Sequence, residues 1–97
     1  MFPLSTKSLY LKINNPPMLS HILESFPEED FLVADGFDEA IIGVELDTMR
    51  LIYSCTKCIE ILARDMDYQE ATEYFHFNVS GAYMGDRPPI WCYDDFI

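Results

Sequence analysis

Cys55 and Cys58, two thiols separated by two residues, are the most reactive pair of side chains that the sequence places together. They open a segment whose apolar spacing predicts a helix, with Ser54 as its N-cap. A thiolate at a helix N-terminus is stabilised by the helix dipole, and redox proteins use that position. The predicted order of elements lacks a βαβ start, and both cysteines fall on the apolar stripe. We therefore interpret them as core residues.

A zinc site would need four ligands, and the side chains of the right type are Cys55, Cys58, Cys92, His21 and His76. Structural zinc sites usually show two paired ligand motifs, whereas this chain has one. The carboxylates within residues 35–40 lack the alternating oxygen ligands of a calcium loop. The sequence therefore predicts neither a metal nor any other cofactor.

No grouping of side chains supplies a nucleophile, a base and an oxyanion stabiliser together. His76 is a candidate base, but Glu73 lies three residues before it, and this spacing predicts a surface ion pair on one helix. Gly81 and Gly85 lack the lysine and the strand–loop–helix order of a phosphate loop. We predict no catalytic residues and a protein that is not an enzyme.

Asn78 lies on the apolar stripe of a helix predicted over 67–82, where an apolar residue would pack better. A buried amide lowers stability unless its hydrogen bonds are satisfied. Either it caps backbone groups of the loop that follows, or it lines a small-ligand pocket. The predicted ligand-site residues are Asn78, Gly81, Tyr83 and Gly85, with Asp38 and Glu39 opposite them.

The segment 90–97 is rich in aromatic residues. Trp91, Tyr93 and Phe96 either complete the core or form an interface with another subunit, because aromatic residues are favoured in interface cores. The sequence leaves a homodimer open as one of these two interpretations.

The elements that position these residues predict an α+β fold with a small antiparallel or mixed sheet. Residues 39–46 are almost continuously apolar, which predicts a central strand covered on both faces. The predicted elements are a short helix over 18–26, a hairpin over 39–53, helices over 55–64 and 67–82, and a strand over 90–93. Pro27 is the predicted end of the first helix, and Asp67, with Glu70 three residues later, is the predicted N-cap of the last.

The 97 residues carry a net charge of −11, with 49% hydrophobic residues. This predicts a single acidic domain over 18–97, preceded by an N-terminal extension, 1–17, that contains no acidic residue. The extension either is poorly packed or forms an edge strand through S-L-Y-L-K-I at 8–13. Such a charge repels nucleic-acid phosphates and anionic membranes, so we predict neither as a direct partner. An odd cysteine count without a secretory signal predicts a cytoplasmic protein.

Three motifs carry a family resemblance: F-D-E-A-I-I-G at 37–43, D-Y-Q-E-A at 67–71, and F-N-V-S-G-A-Y-M-G at 77–85, followed by Pro89. They resemble a family of small uncharacterised proteins encoded by phages and other viruses. The resemblance covers about residues 31–92, and its most specific part is 78–83. It implies infection of a host cell as the setting, and no mechanism.

These observations predict a viral accessory protein that sequesters or inhibits a host macromolecule, in host takeover or counter-defence, with a host protein as the expected partner. Two alternatives stay open. One is a small-ligand-binding or sponge protein with its pocket near Asn78 and Tyr83. The other is an acidic mimic of nucleic acid, in which carboxylates take the place of phosphates.

Overall fold

The computed structural model of the chain describes residues 4–5, 18–82 and 85–96. It confirms the predicted α+β class, with three helices and a three-stranded mixed sheet among the described residues. The helices are α1 (Met18–Ser25), α2 (Cys55–Leu62) and α3 (Tyr68–Tyr74), and the strands are β1 (Leu4–Ser5), β2 (Val33–Ala34), β3 (Ile41–Glu45), β4 (Arg50–Ser54) and β5 (Ile90–Cys92). The strand region 8–13 of the predicted N-terminal extension lies outside the described residues, and β1 pairs with β2 in a separate antiparallel pair.

Local signals begin and end the helices much as predicted. Helix α1 buries Leu19 and Ile22 and ends at Ser25, two residues before Pro27, because the residue that precedes a proline disfavours the helical conformation. Ser54 caps α2 by accepting a hydrogen bond from the Lys57 N–H at 3.2 Å. None of the helices among the described residues has the length and apolar character needed to span a bilayer.

Leu19 and Ile22 lie three residues apart, and this helical spacing places both side chains on the inner face of α1. Pro27 lies eight residues after Leu19 and five after Ile22.

The second predicted N-cap is also confirmed. The Asp67 carboxylate accepts a hydrogen bond from the Glu70 N–H at 2.8 Å, and α3 begins at the next residue. Both caps were visible as local sequence patterns.

The three-stranded sheet has the order β3–β4–β5. Strands β3 and β4 form the predicted hairpin, with Ile41 opposite Tyr53 and Glu45 opposite Arg50, and β5 pairs with β4 in parallel. The prediction that 39–46 forms the central strand is wrong, because β4 lies in the middle. The apolar run that suggested it begins in a 3₁₀ turn, Asp38–Ala40, rather than in a strand.

Aromatic rings join the sheet to α3 in the core. Trp91 of β5 lies 5.1 Å from the ring of Tyr53 and 5.6 Å from that of Phe75, measured between centroids. Tyr53 is fully buried, and its hydroxyl oxygen accepts a hydrogen bond from the Ala34 N–H at 2.8 Å. Of the two predicted roles for Trp91, the structure shows packing against the core.

Arg87 connects the segment before β5 to the hairpin turn. Its guanidinium donates to the carbonyl oxygens of Thr48 at 2.7 Å and Met49 at 3.1 Å. The same group forms an ion pair with Glu29 at 3.3 Å. The Arg87 side chain thus links three segments that are distant along the chain.

Candidate functional site

Helix α3 continues into a π-helical segment, Phe75–Val79. The Ser80 N–H donates to the Phe75 carbonyl oxygen at 2.8 Å, which is the i→i+5 pattern that defines a π turn. The wider turn keeps residues four apart on the inner face, so that Ala71, Phe75 and Val79 are all buried. Isolated π turns of this kind occur frequently at functional sites.

The π turn overturns the prediction that Asn78 lies in the buried stripe. Asn78 is exposed. Val79 occupies the core position that Asn78 would have occupied in a regular helix. The amide therefore faces water and needs no buried partner. Phe77, which the sequence interpretation passed over, is 79% exposed.

Next to the π turn lies an open surface depression of about 350 Å³. We call it the Phe77 depression, and it is lined by Met66, Glu70, Glu73, Tyr74, Phe77 and Asn78. It combines an exposed aromatic ring with two carboxylates. Glu70 and Glu73 lie three residues apart on α3, a spacing that makes them neighbours on the helix surface.

The arginines that form ion pairs within the described residues lie elsewhere. Arg64 pairs with Glu39 at 2.9 Å, and Arg87 pairs with Glu29. The predicted ion pair between His76 and Glu73 is wrong, because the described ion pairs do not include it and the His76 ring contacts Tyr93 instead. Among the cationic side chains that the structure describes, none forms an ion pair with Glu70 or Glu73, the two carboxylates of the Phe77 depression.

The C-terminal segment contains two further exposed aromatic residues, Tyr93 and Phe96, and Tyr93 contacts the π-helical segment. The Tyr93 hydroxyl lies 3.2 Å from His76 Nε2, a hydrogen bond that holds this segment against the helix. Tyr93 is about half exposed and Phe96 is 85% exposed. Both are therefore available for contact with a partner, as the interface interpretation expects, whereas Trp91 is packed against the core.

The predicted glycines have structural roles that the backbone explains. A Cβ atom at Gly81 would lie 2.5 Å from the His76 carbonyl oxygen, so only glycine fits at the end of the π turn. Gly85 has a φ of 92°, a left-handed conformation that favours glycine. Neither glycine lines the Phe77 depression, and Tyr83 lies outside the described residues.

The two acidic residues of the predicted pocket, Asp38 and Glu39, do not line the Phe77 depression. Glu39 lines a second depression, of about 220 Å³, with Lys57, Glu60, Ile61 and Arg64. Asn78 and Glu39 therefore belong to different depressions and do not face each other across one pocket. The spacing of residues within one helix does not indicate which distant turn packs opposite that helix. The sequence therefore did not determine where Asp38 and Glu39 lie relative to Asn78.

Asp38 is the most perturbed carboxyl group among the described residues. It is half-buried in the 3₁₀ turn, and its Oδ1 atom has no hydrogen-bond partner within the described part of the chain. Burial, together with the charges of Asp35 and Glu39, raises the pKa of Asp38 from 3.8 to about 6. Such a group senses mild acid, but it lines neither depression.

The cysteines of the C-x-x-C motif are both buried, as predicted. Burial raises the pKa of the Cys55 thiol, with smaller contributions from Cys92 and Asp94, and burial also raises the pKa of the Cys58 thiol. Both shifts favour the protonated thiol, the opposite of what a reactive thiolate needs. Within the described part of the chain, no group of three or more His, Cys, Asp or Glu side chains is arranged to hold a metal ion.

Comparisons with protein families, curated proteins and solved structures found no match to this chain. The resemblance to phage-encoded proteins therefore stays a prediction from the sequence motifs. The candidate site is defined by its own geometry, and the Phe77 depression is its main feature. The signal for Phe77 was present in the sequence, as an aromatic residue on the polar side of a predicted helix.

Proposed function

We propose that the protein acts by binding a partner protein through the Phe77 depression, with the exposed aromatic residues Tyr93 and Phe96 as further contacts. The observation that carries this proposal is the exposure of Phe77, which is 79% accessible beside a depression rather than packed in the core. Exposed aromatic residues are enriched in interface cores and among the residues that contribute most binding energy.

The partner that we propose is a host protein, bound in the host cytoplasm and thereby sequestered or inhibited. The resemblance to phage-encoded proteins supports the viral setting, and a net charge of −11 supports a partner with a basic surface. Host takeover and counter-defence are both compatible with this action, which requires binding without catalysis.

A small-ligand pocket has less support than a protein interface. The Phe77 depression lies near the lower end of the usual volume range of ligand pockets, roughly 300–1,000 Å³. It is open to solvent, and the residues predicted to surround a ligand are divided between two depressions. A mimic of nucleic acid would rely on carboxylates alone and would not need the exposed ring of Phe77.

The test compares two single substitutions of exposed apolar residues. Tagged wild-type protein, Phe77→Ala and Leu46→Ala are recovered from host cells after cross-linking, and bound proteins are quantified by mass spectrometry. Truncating an aromatic residue that dominates an interface costs about 2 kcal/mol or more, or about thirtyfold in Kd. We expect Phe77→Ala to lose the partner that wild type retains.

Leu46→Ala is the matched control, because Leu46 is 84% exposed but lies in the hairpin turn. It should keep the partner. Equal recovery with wild type and Phe77→Ala would contradict the proposal, and so would equal loss with both variants. A change from dimer to monomer in Phe77→Ala, measured by native mass spectrometry, would assign the surface to self-association instead.

A further inference from the structure

We infer that the Phe77 depression receives an arginine side chain of the partner, so that the partner segment is a basic peptide. This inference rests on the proposed function and specifies the chemistry of the same site. It follows from three features that occur together: two carboxylates that pair with no cationic side chain of the described residues, an exposed aromatic ring, and a depression with room for a long side chain.

The carboxylates define the charge of the occupant. Glu70 and Glu73 are neighbours on the exposed surface of α3, where like charges at this spacing repel each other. The arginines with ion pairs in the described ranges are bound to Glu39 and Glu29, outside the depression. A cation placed between Glu70 and Glu73 would remove the repulsion and form charge-assisted hydrogen bonds.

The aromatic ring selects among cations. Phe77 offers a ring that is mostly accessible to solvent, and aromatic faces attract cations through their negative electrostatic potential. A guanidinium is planar, stacks on such rings and pairs with carboxylates through two parallel N–H groups. An ammonium group forms the ion pair but lacks the planar stacking surface, so the site favours arginine over lysine.

The depression has room for one long side chain. Its volume of about 350 Å³ is roughly ten times the 30 Å³ that a water molecule occupies in the liquid. The apolar lining from Met66 and Tyr74 suits the methylene stem of the side chain. The remainder of a peptide would extend over the surrounding surface.

The experiment uses three short peptides and the full chain. The peptides are acetyl-Gly-Arg-Gly-amide, its lysine analogue and its citrulline analogue, in which a neutral urea replaces the guanidinium. Each is titrated into ¹⁵N-labelled protein and followed by NMR. We expect the arginine peptide to shift the amide signals of Glu73, Tyr74, Phe77 and Asn78 in a saturable manner, with weaker binding of lysine.

The citrulline peptide tests the charge, because it keeps the planar shape without the cation. Removing one exposed ion pair is expected to weaken binding about fivefold, which corresponds to about 1 kcal/mol. Glu73→Gln should therefore weaken the arginine peptide about fivefold. Glu28→Gln is the control, since Glu28 is exposed and lies outside the depression, and it should leave the affinity unchanged.

Three results would overturn the inference. They are equal binding of the arginine and citrulline peptides, signal shifts spread over all acidic surfaces, and no shifts at the Phe77 depression.

Failure of this inference can be distinguished from failure of the proposed function. If Phe77→Ala loses a host protein while the arginine peptide does not bind, the protein interface stands and the arginine preference falls. If the peptide binds while Phe77→Ala keeps its partner, the interface falls.

Discussion

Phe75 and Phe77 lie two residues apart in the same π-helical segment, yet they belong to different regions of the molecule. Phe75 is fully buried and packs edge-on against Trp91, as part of an inner aromatic cluster with Tyr53. Phe77 is 79% exposed and, like Tyr93 and Phe96, belongs to the outer aromatic residues, which are accessible to solvent. Composition alone does not distinguish the two regions, because both are rich in aromatic residues.

The difference is produced by the helix geometry between them. Residues two apart lie on nearly opposite sides of a helix, so Phe75 faces the core and Phe77 faces solvent. The π turn then displaces the inner face by one residue, so that Val79 rather than Asn78 faces the core. The inner cluster therefore contributes to stability, and the outer surface is available for binding. Substitutions that separate these two contributions test the comparison directly.

The largest effect is expected from truncating the inner ring. Phe75→Ala removes a fully buried ring that packs against Trp91 and should lower the free energy of unfolding by about 3–5 kcal/mol. Phe77→Ala should change it by less than about 0.5 kcal/mol. Urea unfolding followed by circular dichroism measures both. Comparable losses of stability in the two variants would show that the outer ring is part of the core.

An intermediate effect is expected at the end of the π turn. Gly81→Ala would place a methyl group against the His76 carbonyl oxygen, and such overpacking costs about 1–3 kcal/mol. Gly43→Ala is the control, because nothing lies within 4 Å of a Cβ atom at that position. Thermal unfolding should show a lower midpoint for Gly81→Ala than for Gly43→Ala. Equal midpoints would contradict the close approach on which the turn depends.

The smallest effect on the free energy of unfolding is expected for a carboxyl group, that of Asp38, rather than for an aromatic ring. The folded-state pKa of Asp38, about 6, lies above its ordinary value of 3.8, so the folded protein binds this proton more tightly than the unfolded chain does. Stability contributed by the protonated form is fully present below about pH 3.8 and is lost as the pH rises to about 6. Charges on Asp35 and Glu39 act in the same direction.

Asp38→Asn should therefore be more stable than wild type at pH 7, by about 1 kcal/mol after allowance for solvent screening of a half-exposed group. The difference should disappear below pH 3.8, where both side chains are neutral. Asp65→Asn, which removes the same charge at an exposed position, serves as the control. Urea unfolding across the pH range checks this, and a constant difference at every pH would refute it.

Much of the fold followed from local patterns in the sequence. Ser54 and Asp67 marked the starts of α2 and α3, because a side-chain oxygen at an N-cap satisfies a free backbone N–H. The hairpin followed from two apolar runs separated by a short turn. The position of β4 in the middle of the sheet did not follow, since strand order depends on packing between distant segments rather than on any one strand.

The candidate site was predicted less well than the fold. Asn78 was assigned to a buried stripe because a regular helix was assumed, and the π turn moved it to the surface. The alternative stripe of Ala71, Phe75 and Val79 was present in the sequence, with a constant spacing of four. Nothing local to Asn78 indicated that Glu39 would line a separate depression, because that depends on tertiary packing.

The contacts of Arg87 have a consequence for the register of the sheet. Strand β5 has only three residues and pairs in parallel, an arrangement that by itself specifies alignment weakly. Each residue advances a strand by about 3.3 Å, so a slip of one residue would carry the Arg87 guanidinium away from the Thr48 and Met49 carbonyl oxygens. A hydrogen-bonded loop residue, outside any strand, thereby fixes which side of β5 presents Trp91 to the core.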